Sequence, residues 1–263
     1  MSDLEFVRAP YFGGDRVVHA FTTRTGGVSE GPFESLNLSW SRGDDKSNVE
    51  ENRRRVAEAL GGVSLVFANQ VHGTNVLKVD AKPEGRWSAG EGDALMTNVP
   101  GLALCAQTAD CVPILLHDPA NRAVAAVHSG WRGTVKGVLA ATLNEMEIAY
   151  GTRPEQVQAV IGPAICKENY RVGPEVLEKF EVHFGGLDDA LAGPRDEEGG
   201  AGLDVAEACR RQLMMAGVHE DFIVRLNHCT FADRERFFSC RRAAKDGHPG
   251  AFGGQCGVIA LNK

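Results

Sequence analysis

Cys111 and His128 are the residues from which chemistry is most readily built. They stand at two apolar, β-rich runs, Leu102 to Leu116 and Ala123 to Val127, joined by a turn at Asp118-Pro119-Ala120-Asn121. The runs read as a strand pair buried on at least one face. Polar residues break in at Thr108-Ala109-Asp110-Cys111, at His128-Ser129 and at Trp131-Arg132-Gly133. Such strands usually exclude these groups, because an unsatisfied buried polar group costs about 1–3 kcal/mol. A Cys and a His at the ends of neighbouring strands can converge on one point. Thiolate and imidazole are both good zinc ligands. Equally, Cys111 could be a nucleophile with His128 as its base, or both could be buried structural groups. The residues alone leave these readings open.

Other candidates surround this stretch. His72 lies in NQVHGTNV, beside a glycine that lets the backbone turn sharply, and reads as structural or functional with equal weight. His19 lies in the strand-like RVVHAFTT and reads as a hydrogen-bonded core histidine. Arg24 opens a turn with Thr25, Gly26 and Gly27, and Asn37 sits in the polar stretch SLNLS; both are candidates for holding substrate. Arg132, Arg241 and Arg242 join Arg24 as candidate phosphate binders, because the planar guanidinium takes two oxygens at once. A glycine-bracketed helix start after His128 would add free N–H donors and a favourable dipole. Asp110 could orient a ligand histidine or cap a turn. Trp131 and Phe238 could stack on a base or simply fill the core.

The elements that must position these groups follow from periodicity and punctuation. Strands are predicted at Arg16 to Thr23, Leu65 to Ala68, Val76 to Val79, Gly92 to Asn98, Val157 to Ile161, Phe222 to Leu226 and Val258 to Leu261. Helices are predicted at Ser47 to Leu60, with Ser47 as N-cap and Glu50 closing a capping box, and at Thr134 to Tyr150, Pro174 to Phe184 and Leu203 to Ala216. The loop from Gly26 to Asp45 is long for a compact domain, and long ordered loops often carry function. Residues 81 to 92 read as a polar surface loop, and Gly185 to Gly202 as a mobile, acidic, glycine-rich excursion. With no repeat and no dividing linker, a single domain over residues 1–263 is expected.

Composition excludes several classes. A net charge of −7 over 263 residues argues against a nucleic-acid or anionic-membrane surface. No uncharged apolar stretch approaches the roughly 18 residues that span a bilayer, and MSDLEFVRAP has no apolar signal region. Seven cysteines without a CxxC pair suit a reducing cytoplasm better than a disulfide framework.

NQVHGTNV, GDALMTNVPGLALCAQTADCVPILLHDP, AVAAVHSGWRGTVKGVL, IGPAI, CT and FFSCRR occur in that order. Together they resemble the YfiH-like family, also called laccase-domain or polyphenol-oxidase-like proteins, from about Phe21 to the C-terminus. The resemblance implies an α/β fold of layered mixed sheets flanked by helices. It implies a zinc site of two His and one Cys, matching His72, Cys111 and His128, which would then serve catalysis and metal binding together. Three protein ligands leave one position open, the pattern of a catalytic zinc. It further implies phosphorolysis of adenosine, inosine, guanosine or methylthioadenosine, and adenosine deamination, although the H-x-E deaminase signature is absent. Family names also point to a peptidoglycan editing factor, here a cysteine hydrolase or amidase, and to a copper-dependent polyphenol oxidase. Copper suits a His2Cys set, but a multicopper oxidase needs His-X-His pairs, and the eight His here include none. The chain departs from the family pattern at Arg171, where many members carry Glu, and at Cys240, where Tyr is common. The expectation is a cytoplasmic zinc enzyme, monomer or weak dimer, taking a purine nucleoside and phosphate. A zinc-stabilised interaction protein is the non-catalytic alternative.

Overall fold

The computed structural model describes residues 4–84 and 87–262. In chain order the strands are β1 Phe6–Val7, β2 Val17–Thr22, β3 Ser64–Asn69, β4 Val76–Lys78, β5 Ser88–Glu91, β6 Ala94–Thr97, β7 Leu102–Thr108, β8 Val112–Asp118, β9 Ala123–Ser129, β10 Gln158–Ile161, β11 Arg171–Val172, β12 Ala201–Gly202, β13 Ile223–Arg225 and β14 Gln255–Leu261. The helices are α1 Lys46–Ala59, α2 Trp131–Lys136, α3 Val138–Tyr150, α4 Pro174–Phe184, α5 Val205–Met215 and α6 Cys240–Lys245. None is long and apolar enough to cross a membrane.

Two six-stranded mixed sheets carry the fold, one ordered β1-β2-β14-β7-β3-β5 and the other β13-β10-β8-β9-β6-β4. Strand alternation assigns each side chain to a layer. In the first sheet Leu104, Ala106 and Ile259 point inward and meet Leu115, Val124, Ala126 and Val160 of the second. The other face of the first sheet, with Ala103 and Cys105, packs on Val56 and Leu60 at α1 and on Leu36 and Leu38 of the long loop. The other face of the second sheet, with Ile114, Leu116, Ala125 and Val127, packs under α3, α4 and α5. The central strands are therefore buried on both faces. That is why they read as continuous apolar runs rather than as alternating ones.

The apolar run Leu102 to Leu116 is not one strand. It divides at Ala109–Cys111 into β7 and β8, which belong to different sheets. The β8–β9 hairpin forms as expected, with the Asp118 carboxylate accepting from Ala120 and Asn121 N–H at its turn. Thr134 to Tyr150 is not one helix either. Gly137, at φ 83°, ends α2 and starts α3. Helix α1 is capped by Asp45, whose side chain accepts from Ser47 N–H, so Ser47 lies inside the first turn. The stretch 81 to 92 contains β5, with Gly85 and Arg86 outside the described residues, as are Met1 to Asp3 of the N-terminal segment and Lys263. The 185–202 excursion docks on the core through fully buried Leu191, and the Asp196 carboxylate accepts from Glu198 and Gly200 N–H.

Candidate metal centre

His72, Cys111 and His128 come from three parts of the chain, and each has a specific positioning device. His128 lies near the end of β9, on the face that Val124 and Ala126 turn toward the other sheet. Cys111 follows Asp110, whose φ of 98° marks the sharp turn between β7 and β8. His72 stands in the loop between β3 and β4, itself at φ 59°. That loop is pinned to β7 by Gln70, whose amide accepts from Gln107 N–H at 2.8 Å and donates to Gln107 O at 2.7 Å.

One carboxylate ties the set together. Asp93 precedes β6, and the β6–β9 register, with Ala94 opposite Val127, brings it beside His128. It accepts His128 Nδ1–H at 2.8 Å. It also accepts the backbone N–H groups of Val71, His72 and Gly73 at 3.1, 3.0 and 2.7 Å. Burial acts to raise the Asp93 carboxyl, but the hydrogen bonds from His128, Gly73 and Val71 outweigh it and hold it below the usual carboxylate range. Asp93, not Asp110, is thus the carboxylate that orients a histidine of the triad. Its signal in the sequence was the GD pair ahead of a strand that must lie beside the His128 strand. Asp110 instead accepts Thr230 Oγ1–H at 2.7 Å and Arg241 N–H at 2.7 Å.

The three donor atoms lie within 4.8 Å of one another, with Cys111 Sγ 3.8 Å from His72 Nε2. The His72 and His128 rings meet edge to face at 4.8 Å. Ligands of a tetrahedral zinc stand about 3.5 Å apart, given bonds of about 2.0–2.3 Å, so the donors fit such an ion with a small contraction. Burial pushes the Cys111 thiol up, yet His128 and the hydrogen bonds from His128 and His72 pull it down to about 6. A thiolate is the form that binds metal. Gly130 leaves the space open. A Cβ there would lie 2.8 Å from the His72 ring and 3.0 Å from Cys111 Sγ.

The triad lines a cavity of about 900 Å³, which also takes in Trp40, Arg42, Arg53, Phe67, Trp87 and Thr108. Arg53 is 3% exposed, donates through Nε and Nη2 to Leu38 O, and lies 3.8 Å over the Phe67 ring. Burial lowers its pKa to about 10, which still leaves it a cation at neutral pH, and the Glu50 carboxylate acts on it from the same cavity without forming an ion pair among the described residues. Thr108 Oγ1 is buried with no hydrogen-bond partner among the described residues.

None of the five arginine and asparagine candidates lines this cavity. Arg242 is buried and spends its guanidinium on the carbonyls of Thr230, Phe231 and Phe237. Arg24 donates to Glu34 O and Arg234 O over the Phe238 ring. Asn37 is fully buried between Asp44, Ser39 and Gly254. Arg241 donates to Arg171 O over the Tyr170 ring, and Arg132 lies over Trp131. Trp131 packs against the helix-side core, and Phe238 is buried. The two arginines at the cavity, Arg42 and Arg53, were missed because nothing in SRGDD or ENRRR separates them from a solvated face.

Residues 18–262 match the family model described as multi-copper polyphenol oxidoreductase laccase. A purine nucleoside phosphorylase of Deinococcus radiodurans is 45% identical over 92% of this chain and 88% of its own length. The purine nucleoside phosphorylase YfiH of Escherichia coli is 37% identical over 88% of this chain and 90% of its own. The crystal structure of YlmD from Geobacillus stearothermophilus superposes with a TM-score of 0.86 at 33% identity, covering 98% of this chain and 96% of that one.

Proposed function

The chain belongs to the multi-copper polyphenol oxidoreductase laccase family, the YfiH-like proteins, and on that premise we propose that it is a purine nucleoside phosphorylase with one zinc on His72, Cys111 and His128. The observation that carries this reading is the cavity joining the triad to the buried Arg53 guanidinium. Arg53 forms no ion pair among the described residues, although the Glu50 carboxylate lines the same cavity, and a buried cation beside a cavity is matched to an anionic substrate. Phosphate is the anion that phosphorolysis consumes, and the curated relatives carry that activity in their names.

In phosphorolysis a phosphate oxygen bonds to the anomeric carbon of the ribose. The bond from that carbon to the purine nitrogen breaks, and its electron pair leaves with the base, which takes up the proton that the attacking phosphate gives up. Arg53, with Arg42, holds the phosphate. Phe67, Trp40 and Trp87 supply aromatic wall against which a purine packs and from which water is excluded. Thr108 Oγ1, without a partner among the described residues, is free to hydrogen-bond the substrate. Asp93 holds His128 Nδ1–H, which leaves Nε2 as the ligating atom. Zinc on these donors would supply Lewis acidity toward a substrate oxygen.

Copper would also fit the donors, but His72, Cys111 and His128 are the one group of three metal-binding side chains among the described residues. That supports a mononuclear site rather than a multicopper cluster. Zinc deamination needs a free acid–base carboxylate beside the metal. Asp93 is committed to His128 and three backbone N–H groups, which leaves Glu50 as the cavity's remaining carboxylate, and the reading keeps to phosphorolysis, the activity in the relatives' names.

The test is inosine turnover by zinc-loaded protein with and without phosphate. Hypoxanthine and ribose 1-phosphate should form only with phosphate, and chelation should abolish turnover until zinc is restored. Arg42→Ala should raise KM for phosphate about 10-fold, or ~1.4 kcal/mol, with little change in kcat. Turnover without phosphate, or full activity after metal removal, would overturn the reading and favour a Cys111–His128 hydrolase.

A further inference from the structure

Outside the triad, two more sulfurs meet. Cys166 follows β10 in the IGPAIC stretch, and Cys229 lies between β13 and α6. The two segments are joined by a parallel bridge at Ala164 and Cys229. Cys166 N–H donates to Cys229 Sγ at 3.2 Å, and the Asn169 amide donates to Cys166 Sγ at 3.1 Å and to Cys229 Sγ at 3.6 Å. The Asn169 amide thus bridges the two sulfurs. Both residues are half-buried, whereas Cys105, Cys209 and Cys256 are buried in the core.

We propose that Cys166 and Cys229 form a thiol–disulfide exchange site that accepts a low-molecular-weight disulfide and closes into a protein disulfide. Cys229 is the attacking sulfur, because backbone and side-chain N–H groups converge on it and favour its thiolate. It attacks one sulfur of the small disulfide, whose S–S bond breaks. One thiolate leaves with the electron pair and takes up the proton that Cys229 lost. Cys166 then gives up its proton and attacks the Cys229 sulfur, releasing the second small thiol. Two protein thiols are oxidised to one disulfide, and the small disulfide is reduced to two thiols.

The cross-link has a structural target. Ile165, next to Cys166, donates its N–H to Asp110 O at 3.0 Å. Thr230, next to Cys229, donates Oγ1–H to Asp110 Oδ1 at 2.7 Å. Asp110 carries Cys111. Oxidation therefore clamps the two segments that hold the turn presenting the third member of the triad.

The experiment treats metal-loaded protein with oxidised glutathione, followed by alkylation, intact mass and peptide mapping. Wild type should become about 2 Da lighter before alkylation and then take up two fewer alkyl groups than the reduced control, through a Cys166–Cys229 disulfide. Cys166→Ser should stop at a glutathione adduct on Cys229. Cys229→Ser should form the corresponding adduct on Cys166 at least about 10-fold more slowly. Amide exchange at Ile165 and Thr230 should slow at least about 5-fold on oxidation of wild type and stay unchanged in Cys166→Ser. A disulfide mapping to Cys111 or Cys240, no disulfide at all, or equal adduct rates at the two sulfurs would overturn the site. Unchanged exchange in the oxidised wild type would overturn the clamp. These readouts are masses and exchange rates, so they are independent of the phosphorylase reading.

Discussion

Asp93 and Asp110 are both acidic residues beside the triad, both carboxylates bind backbone N–H, and they do different work. Asp93 faces inward. Its carboxylate takes the Nδ1–H of His128 and the N–H groups that shape the His72 loop. Asp110 faces away, toward the C-terminal half, and binds Thr230 and Arg241. One sets the orientation of the imidazoles, and the other sets the frame from which the thiol is presented. Proximity in sequence to a ligand is therefore a poor guide. Asp110 adjoins Cys111, yet it is Asp93, 35 residues from its partner His128, that touches an imidazole.

The comparison breaks first at Asp93→Ala. Three backbone N–H groups and His128 Nδ1 lose their acceptor inside a site where the Asp93 side chain is fully buried. Zinc affinity should fall about 10- to 100-fold, and stability should fall by about 4 kcal/mol, as measured by competitive zinc titration and urea unfolding. Zinc affinity within about 3-fold of wild type would remove Asp93 from the centre.

Asp110→Asn is the matched, smaller perturbation. The amide can still accept one of the two hydrogen bonds, so a stability loss of about 1–2 kcal/mol is expected, with zinc affinity changed by less than about 3-fold. If Asp110→Asn cost as much zinc affinity as Asp93→Ala, the division between orienting and framing carboxylates would fail.

The smallest effect tests what a histidine does without such a carboxylate. His19 is buried, and its Nε2 accepts Ala9 N–H at 3.1 Å. Burial, then the nearby Arg8 charge, lowers its pKa from 6.5 to about 4. The folded state thus resists a proton that the unfolded chain accepts. Stability from this residue is complete above about pH 6.5 and is lost as pH falls toward 4. Between pH 7 and pH 5.5 the loss should be about 1 kcal/mol. His19→Gln should flatten that slope in urea titrations at the two pH values, and an unchanged slope would assign the acid sensitivity elsewhere.

Much of this protein was legible in its residues. Short apolar, β-rich runs and turn chemistry located β2, β3, β4, β6, β9, β10, β13 and β14 to within a few residues, because apolar runs and Pro-Gly or Asp-Pro punctuation are local properties. The ordered motifs around NQVHGTNV, TADC and HSGWRG carried the family and the three candidate donors. The division of Leu102 to Leu116 between two sheets was not legible. A strand buried on both faces has no polar side, so its pattern does not say which sheet it joins or where it crosses. The same limit hid Asp93, Arg42 and Arg53. A carboxylate becomes an orienting group, and a guanidinium part of a cavity wall, only when strand register and helix packing bring distant backbone around it. Local chemistry determined which groups were available. Burial and register, which depend on partners far along the chain, decided which of them face the cavity and which hold the frame.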